Sequence, residues 1–96
     1  MRPTVLIVDD EKEIRESLRA YLARTVEADI VEADNGYDAL ERVRISSVAV
    51  VLLDISMPGI SGRDVIREIR AVSPATAVIV ISRWDSREMA EEMEQL

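Results

Sequence analysis

Three stretches of the chain are apolar without interruption, and each stops at a polar residue: Val5 to Val8 at Asp9-Asp10, Val48 to Leu53 at Asp54, and Ala77 to Ile81 at Ser82. Such runs are too short for helices, and they lack the alternation of a strand with one wet face. All three are therefore expected as strands buried on both faces, as in a parallel sheet. Between them the period changes. Ile14, Leu18 and Leu22 recur at helical spacing with Glu11, Glu13, Arg15, Glu16 and Arg19 around them, which predicts an amphipathic first helix. Ile30 to Ala33 is a short second strand whose Glu32 suits a sheet edge. Asn35-Gly36 opens a second helix with Leu40 and Val43 inward. Ser61, three residues before Asp64, caps a third, with Val65, Ile66, Ile69 and Val72 on its buried face and Pro74 after its end. Asp85, three residues before Glu88, caps a fourth with a stripe of Met89, Met93 and Leu96. Unbroken alternation of strand and helix predicts an α/β domain: a parallel sheet, right-handed crossovers, helices on both faces. Ligands of such sheets bind beyond the carboxyl ends of the strands, where the polar residues of this chain collect.

Composition narrows the chemistry. The 96 residues suit one domain, which buries roughly 60–70% of its unfolded surface. A hydrophobic share of 48% against 32% charged is globular rather than disordered. With no cysteine and no histidine, disulfides, thiolate metal sites and imidazole bases are excluded, and any metal must be hard and bound by oxygen. Nineteen acidic against 12 basic residues, a net charge of −7, repel nucleic acid, so no direct nucleic acid binding is expected. Met1-Arg2-Pro3 leads directly into a strand without an apolar signal core, and no run approaches membrane-spanning length. A cytoplasmic location without membrane attachment is the expectation.

Three carboxylates and a hydroxyl at strand ends, Asp9, Asp10, Asp54 and Ser82, with Met57-Pro58-Gly59 just after the third aspartate, have the layout of an aspartyl-phosphate site. The arrangement resembles the receiver domain of bacterial response regulators, and the resemblance runs from Thr4 to Leu96. It implies a flavodoxin-like (CheY-like) doubly wound sheet of order 2-1-3-4, in which strands one and three are neighbours. Asp9, Asp10 and Asp54 then converge although 44 residues (54 minus 10) separate the last two. Carboxylates so close cannot all stay ionised cheaply, and a divalent cation resolves the conflict. Mg2+ suits an oxygen-only site, with Asp10 and Asp54 as direct ligands. The resemblance adds the backbone carbonyl of Ser56 as a third ligand and Asp9 acting through water. It further implies Asp54 as phosphoacceptor, a histidine kinase or phosphotransfer protein as donor, and Ser82 as a hydroxyl donor to the phosphoryl group. Such a domain is no enzyme beyond catalysing its own phosphorylation and dephosphorylation.

Taken singly, these residues have other uses. Asp9-Asp10 before a helix can serve as an N-cap, Asp54 as a loop carboxylate, and the methionine stripe as core packing. The chain also departs from the family. Receivers continue into a fifth strand ending in a lysine and a fifth helix, whereas here the fifth unit is missing after Leu96, so residues 1–96 read as one receiver-like domain incomplete at its C-terminus. Lys12, the single lysine, sits in the first helix and cannot take that role. Arg83-Trp84 stands where receivers keep a small residue. A truncated or degenerate interaction module that no longer signals through phosphate therefore stays open, as does a homodimer through strand four or helix four. A haloacid-dehalogenase-type phosphatase lacks its D-x-D motif here, because Asp54 is followed by Ile55 and Ser56.

Overall fold

The structure is a computed structural model and describes residues 2–81. Its elements alternate as β1 (Thr4–Val8), α1 (Lys12–Thr25), β2 (Asp29–Ala33), α2 (Gly36–Ile45), β3 (Val50–Asp54), α3 (Gly62–Val72) and β4 (Ala77–Ile81). All neighbouring strands are parallel, in the order β2-β1-β3-β4. This is the expected doubly wound arrangement. The proposed fourth helix, with Met89, Met93 and Leu96, and the residues Ser82, Arg83 and Trp84 lie outside the described residues.

One face of the sheet carries the main core. Leu6, Val8, Val51 and Leu53, from alternate positions of β1 and β3, pack with Ala39, Leu40 and Val43 of α2 and Val65, Ile66 and Ile69 of α3. The two helices on this face, α2 and α3, begin at the residues the sequence marks as their starts. The side chain of Asn35 accepts from the Asp38 N–H, and that of Ser61 from the Asp64 N–H, each satisfying one of the donors a helix start leaves open. Gly36 is required by close approach: a Cβ there would fall 2.8 Å from Cγ2 of Val65 and would also collide with Ile60, in the loop that leads from β3 to α3.

The opposite face is thinner. Val5 and Ile7 are buried, but α1, which packs on β1 and β2, buries none of its own residues, and Ile14, Leu18 and Leu22 are only half covered. Polar contacts add to this packing. Glu32 on β2 takes Arg15 Nε at 2.9 Å on one carboxylate oxygen and Arg19 Nε at 2.6 Å on the other, and Arg19 also donates to the Ile30 carbonyl.

Two expectations about burial fail. β4 is not buried on both faces: Val78 and Val80 reach the core, but Ala77 is exposed and Ile79 is 53% exposed. Among the described residues β4 is the last strand of the sheet and lies beyond the cover of α1, so only its inward residues stay dry. Val72 is 44% exposed rather than buried, because it is the last residue of α3 and the helix has passed the sheet there.

Replacing Gly36 with alanine should destabilise the domain by about 1–3 kcal/mol, the usual penalty for overpacking, measurable by urea denaturation. The Glu32 carboxyl sits below its ordinary value of 4.5, first through the hydrogen bond from Arg19 and then through that from Arg15 and the attraction of both guanidinium groups, against the opposing effect of burial. A depressed acid stabilises the fold above its unfolded value and loses that contribution as pH falls through the folded value. The stability difference between the wild type and Glu32→Gln should therefore be largest at neutral pH and shrink below pH 4.5.

Candidate functional site

The pairing of β1 with β3 sets the site. Val8 stands opposite Leu53, so the residues that follow each, Asp9 and Asp54, emerge side by side at the carboxyl edge of the sheet. Asp9 is 2% exposed and Asp54 1%, while Asp10 lies open to solvent. One carboxylate oxygen from each of the three falls within 4.8 Å of the others. The convergence expected from the sequence is thus present, although the three residues come from two separate segments.

Local bonds orient each group. The Asp9 N–H donates to the Ala33 carbonyl at 3.2 Å, which carries the β1–β2 ladder one residue beyond β1. Its Oδ1 accepts from the Glu11 N–H at 2.9 Å, and its carbonyl oxygen accepts from Arg15 Nη1 at 2.8 Å. Asp9 therefore shapes the entry to α1 without being the cap, a position held by Glu11, whose side chain makes no capping bond. Asp54 is held from the following loop: its Oδ1 accepts the Ser56 N–H at 2.9 Å and the Ser56 hydroxyl at 2.6 Å. Two donors on one oxygen fix the rotation of the carboxylate. The loop itself is anchored, with Ile55, Met57 and Ile60 packed on the core, and it turns at Gly59, whose φ of 96° lies in the region that favours glycine.

Ser56 meets Asp54 through its N–H and hydroxyl, groups not singled out from the sequence; the resemblance had implied its backbone carbonyl. The available signal was the Asp-x-Ser spacing, which lets an aspartate accept from the backbone two residues on. Ser82 lies outside the described residues; the chain leads into it from Ile81, which pairs in register with Asp54. Lys12, 75% exposed, meets Glu16 on the surface of α1.

The donors brought together are all oxygens, which fits a hard divalent cation of the magnesium type and disfavours softer ions. Such an ion would sit among the carboxylates of Asp9, Asp10 and Asp54.

The sequence matches the family model of the response regulator receiver domain over residues 5–96. It is 42% identical over 78 residues to the transcriptional regulatory protein ResD of Bacillus subtilis, covering 81% of this chain and 32% of that protein. The response regulator receiver protein from Pseudomonas putida is 35% identical with a TM-score of 0.82, over 98% of this chain and 79% of that one. The response regulator protein TrrA from Thermotoga maritima, solved in complex with Mg2+ and BeF, is 34% identical with a TM-score of 0.86, over 97% and 79%. The chain spans less than half the length of the curated relatives it matches.

Two carboxylates at the 4.8 Å limit of this cluster repel each other by roughly 3 kcal/mol at an effective dielectric of about 20. Asn at position 54 keeps an oxygen for both Ser56 donors and removes the charge. Asp54→Asn should therefore stabilise the metal-free protein by roughly 1–3 kcal/mol, and Mg2+ should raise the Tm of the wild type more than that of the variant.

Proposed function

This chain belongs to the response regulator receiver domains of two-component systems, and on that footing we propose that it is a phosphoacceptor, taking a phosphoryl group from a histidine kinase or phosphotransfer protein onto Asp54 with Mg2+. The observation that carries the reading is the buried Asp54 carboxylate at the end of β3, meeting those of Asp9 and Asp10 within 4.8 Å. An oxygen of Asp54 attacks phosphorus, the O–P bond forms as the P–N bond of the donor phosphohistidine breaks, and the imidazole nitrogen keeps the electron pair. Ser56 holds the carboxylate through its N–H and hydroxyl, so the nucleophile meets phosphorus in a set orientation, and positioning supplies much of the rate. Asp10, Asp54 and the Ser56 carbonyl would hold the ion in this reading, with Asp9 acting through water. The chemistry such an ion would supply is to offset the negative charge of the carboxylates and of the phosphoryl oxygens. Ser82 donates its hydroxyl to the transferred group.

Residues 1–96 act in this reading as one receiver-like unit whose chemistry is confined to its own phosphorylation and dephosphorylation. No helix among the described residues is long and apolar enough to cross a membrane. A cytoplasmic site of action, and no direct hold on nucleic acid at a net charge of −7, complete the proposal. Pairing of two copies through β4 is included on the strength of the exposed Ile79, while the alternative face of Met89, Met93 and Leu96 lies outside the described residues.

With acetyl phosphate and Mg2+, the wild type should gain one phosphoryl group by intact-mass measurement, and Asp54→Asn or a chelator should abolish the gain. A wild type that stays unmodified, or an Asp54→Asn variant modified equally, overturns the reading. Light scattering behind size exclusion tests the pairing: a wild-type dimer that Ile79→Lys converts to monomer is expected, and a monomeric wild type removes dimerisation from the proposal.

A further inference from the structure

The backbone of Asp9 is held on both of its peptide units. Its N–H is bonded to the Ala33 carbonyl on β2, and its carbonyl oxygen to Arg15 Nη1 on α1. Arg15 is itself aimed by Glu32, which precedes Ala33 on β2 and accepts Arg15 Nε at 2.9 Å. A closed path therefore runs from the end of β1 across to β2, along to Glu32, up to the guanidinium of Arg15, and back to Asp9. Because the peptide plane is rigid, fixing the Asp9 carbonyl also fixes the direction in which the chain leaves for Asp10. The Arg15 side chain is 16% exposed, so water competes poorly for these bonds.

We infer that Arg15 is a positioning residue of the acidic site, holding the Asp9–Asp10 backbone so that both carboxylates face Asp54, with Glu32 as the anchor that aims it. The inference rests on the proposed Mg2+ and phosphoacceptor role of that site and goes beyond it by adding a residue that touches neither ion nor phosphoryl group. Arg19 supplies an internal comparison. It binds the same Glu32 carboxylate, at 2.6 Å, but its second contact is the Ile30 carbonyl, lower on β2 and away from the carboxylates. Damage to the Glu32 cluster in general is shared by both arginines. Damage to the Asp9 peptide belongs to Arg15 alone.

Charge and positioning also pull in opposite directions here. A cation beside a metal site weakens cation binding, so deleting the charge of Arg15 tightens Mg2+ if Coulomb repulsion is all that matters. Loss of positioning loosens it. Lysine keeps the charge but cannot reproduce the two-pronged contact of the guanidinium with Glu32 and the Asp9 carbonyl.

The test is Mg2+ affinity by titration calorimetry on the whole chain, with thermal melts to verify folding and acetyl phosphate incorporation as a second readout. Arg15→Lys and Arg15→Met should each weaken Mg2+ binding about tenfold, the usual scale for losing a hydrogen-bonding partner behind a metal ligand. Arg19→Lys should stay within about twofold of wild type while losing similar thermal stability. Wild-type affinity in Arg15→Lys, tighter binding in Arg15→Met, or an equal loss in Arg19→Lys each overturns the inference while leaving the phosphoacceptor reading intact. A wild type that binds no Mg2+ overturns both. If neither Arg15 variant folds, Glu32→Gln takes their place: the positioning role then requires weaker Mg2+ binding than in Arg19→Lys, and equal binding in the two refutes it.

Discussion

Parallel pairing of β1 with β3 is the constraint on which the rest of the molecule depends. Leu6 and Val8 on one strand and Val51 and Leu53 on the other are all essentially inaccessible to solvent on the same face, against α2 and α3. Moving either strand by one residue would turn that set away from the helices and bring the opposite face inward. It would also shift Asp54 along the strand by about 3.3 Å relative to Asp9. Apolar burial thereby chooses the register, and the register chooses which carboxylates meet. The chemistry of the site is a consequence of core packing several residues below it.

The two faces of the sheet divide their labour unequally. α2 and α3 are held by apolar interdigitation, which is non-directional and tolerant of small shifts. α1 has no buried residue of its own and is tied to β2 through Arg15, Arg19 and Glu32. Charged hydrogen bonds give directional control but modest net stability when partly exposed. That distinction matters because α1 begins just after Asp9-Asp10. A helix held by directional contacts at its first turns sets the path of the segment before it, which apolar packing alone would leave loosely specified.

What the sequence reveals follows the range of the physics involved. Strand and helix identities were legible from local periods, and the caps Asn35 and Ser61 from residue chemistry alone. The three aspartates were legible because each ends a continuous apolar run, although their convergence needed the strand order that the family resemblance supplied. Burial was misread at Ile79 and Val72: an all-apolar strand looks the same whether one face or both are covered, and a helical stripe does not reveal where the helix overruns the sheet. The contact of Arg15 with Glu32 joins residues 17 apart, and the bond from Ser56 to Asp54 depends on a hydroxyl rotamer. Neither leaves a periodic trace.

A carboxylate 1% exposed is an unusual group for a small domain to carry, since burial without compensation costs several kcal/mol. Here two donors from Ser56 meet one oxygen of Asp54, and the neighbours that repel it are the groups a cation binds. A cation bound among the three carboxylates would offset their mutual repulsion. Net stabilities of small domains are only about 5–15 kcal/mol, so a destabilisation of roughly 3 kcal/mol per carboxylate pair is tolerable only where the surrounding core is best packed. The site sits above Val8 and Leu53, at 1% and 0% exposure, rather than above the half-covered β4. The same pairing of β1 with β3 that brings the charges together supplies the burial that lets the fold carry them.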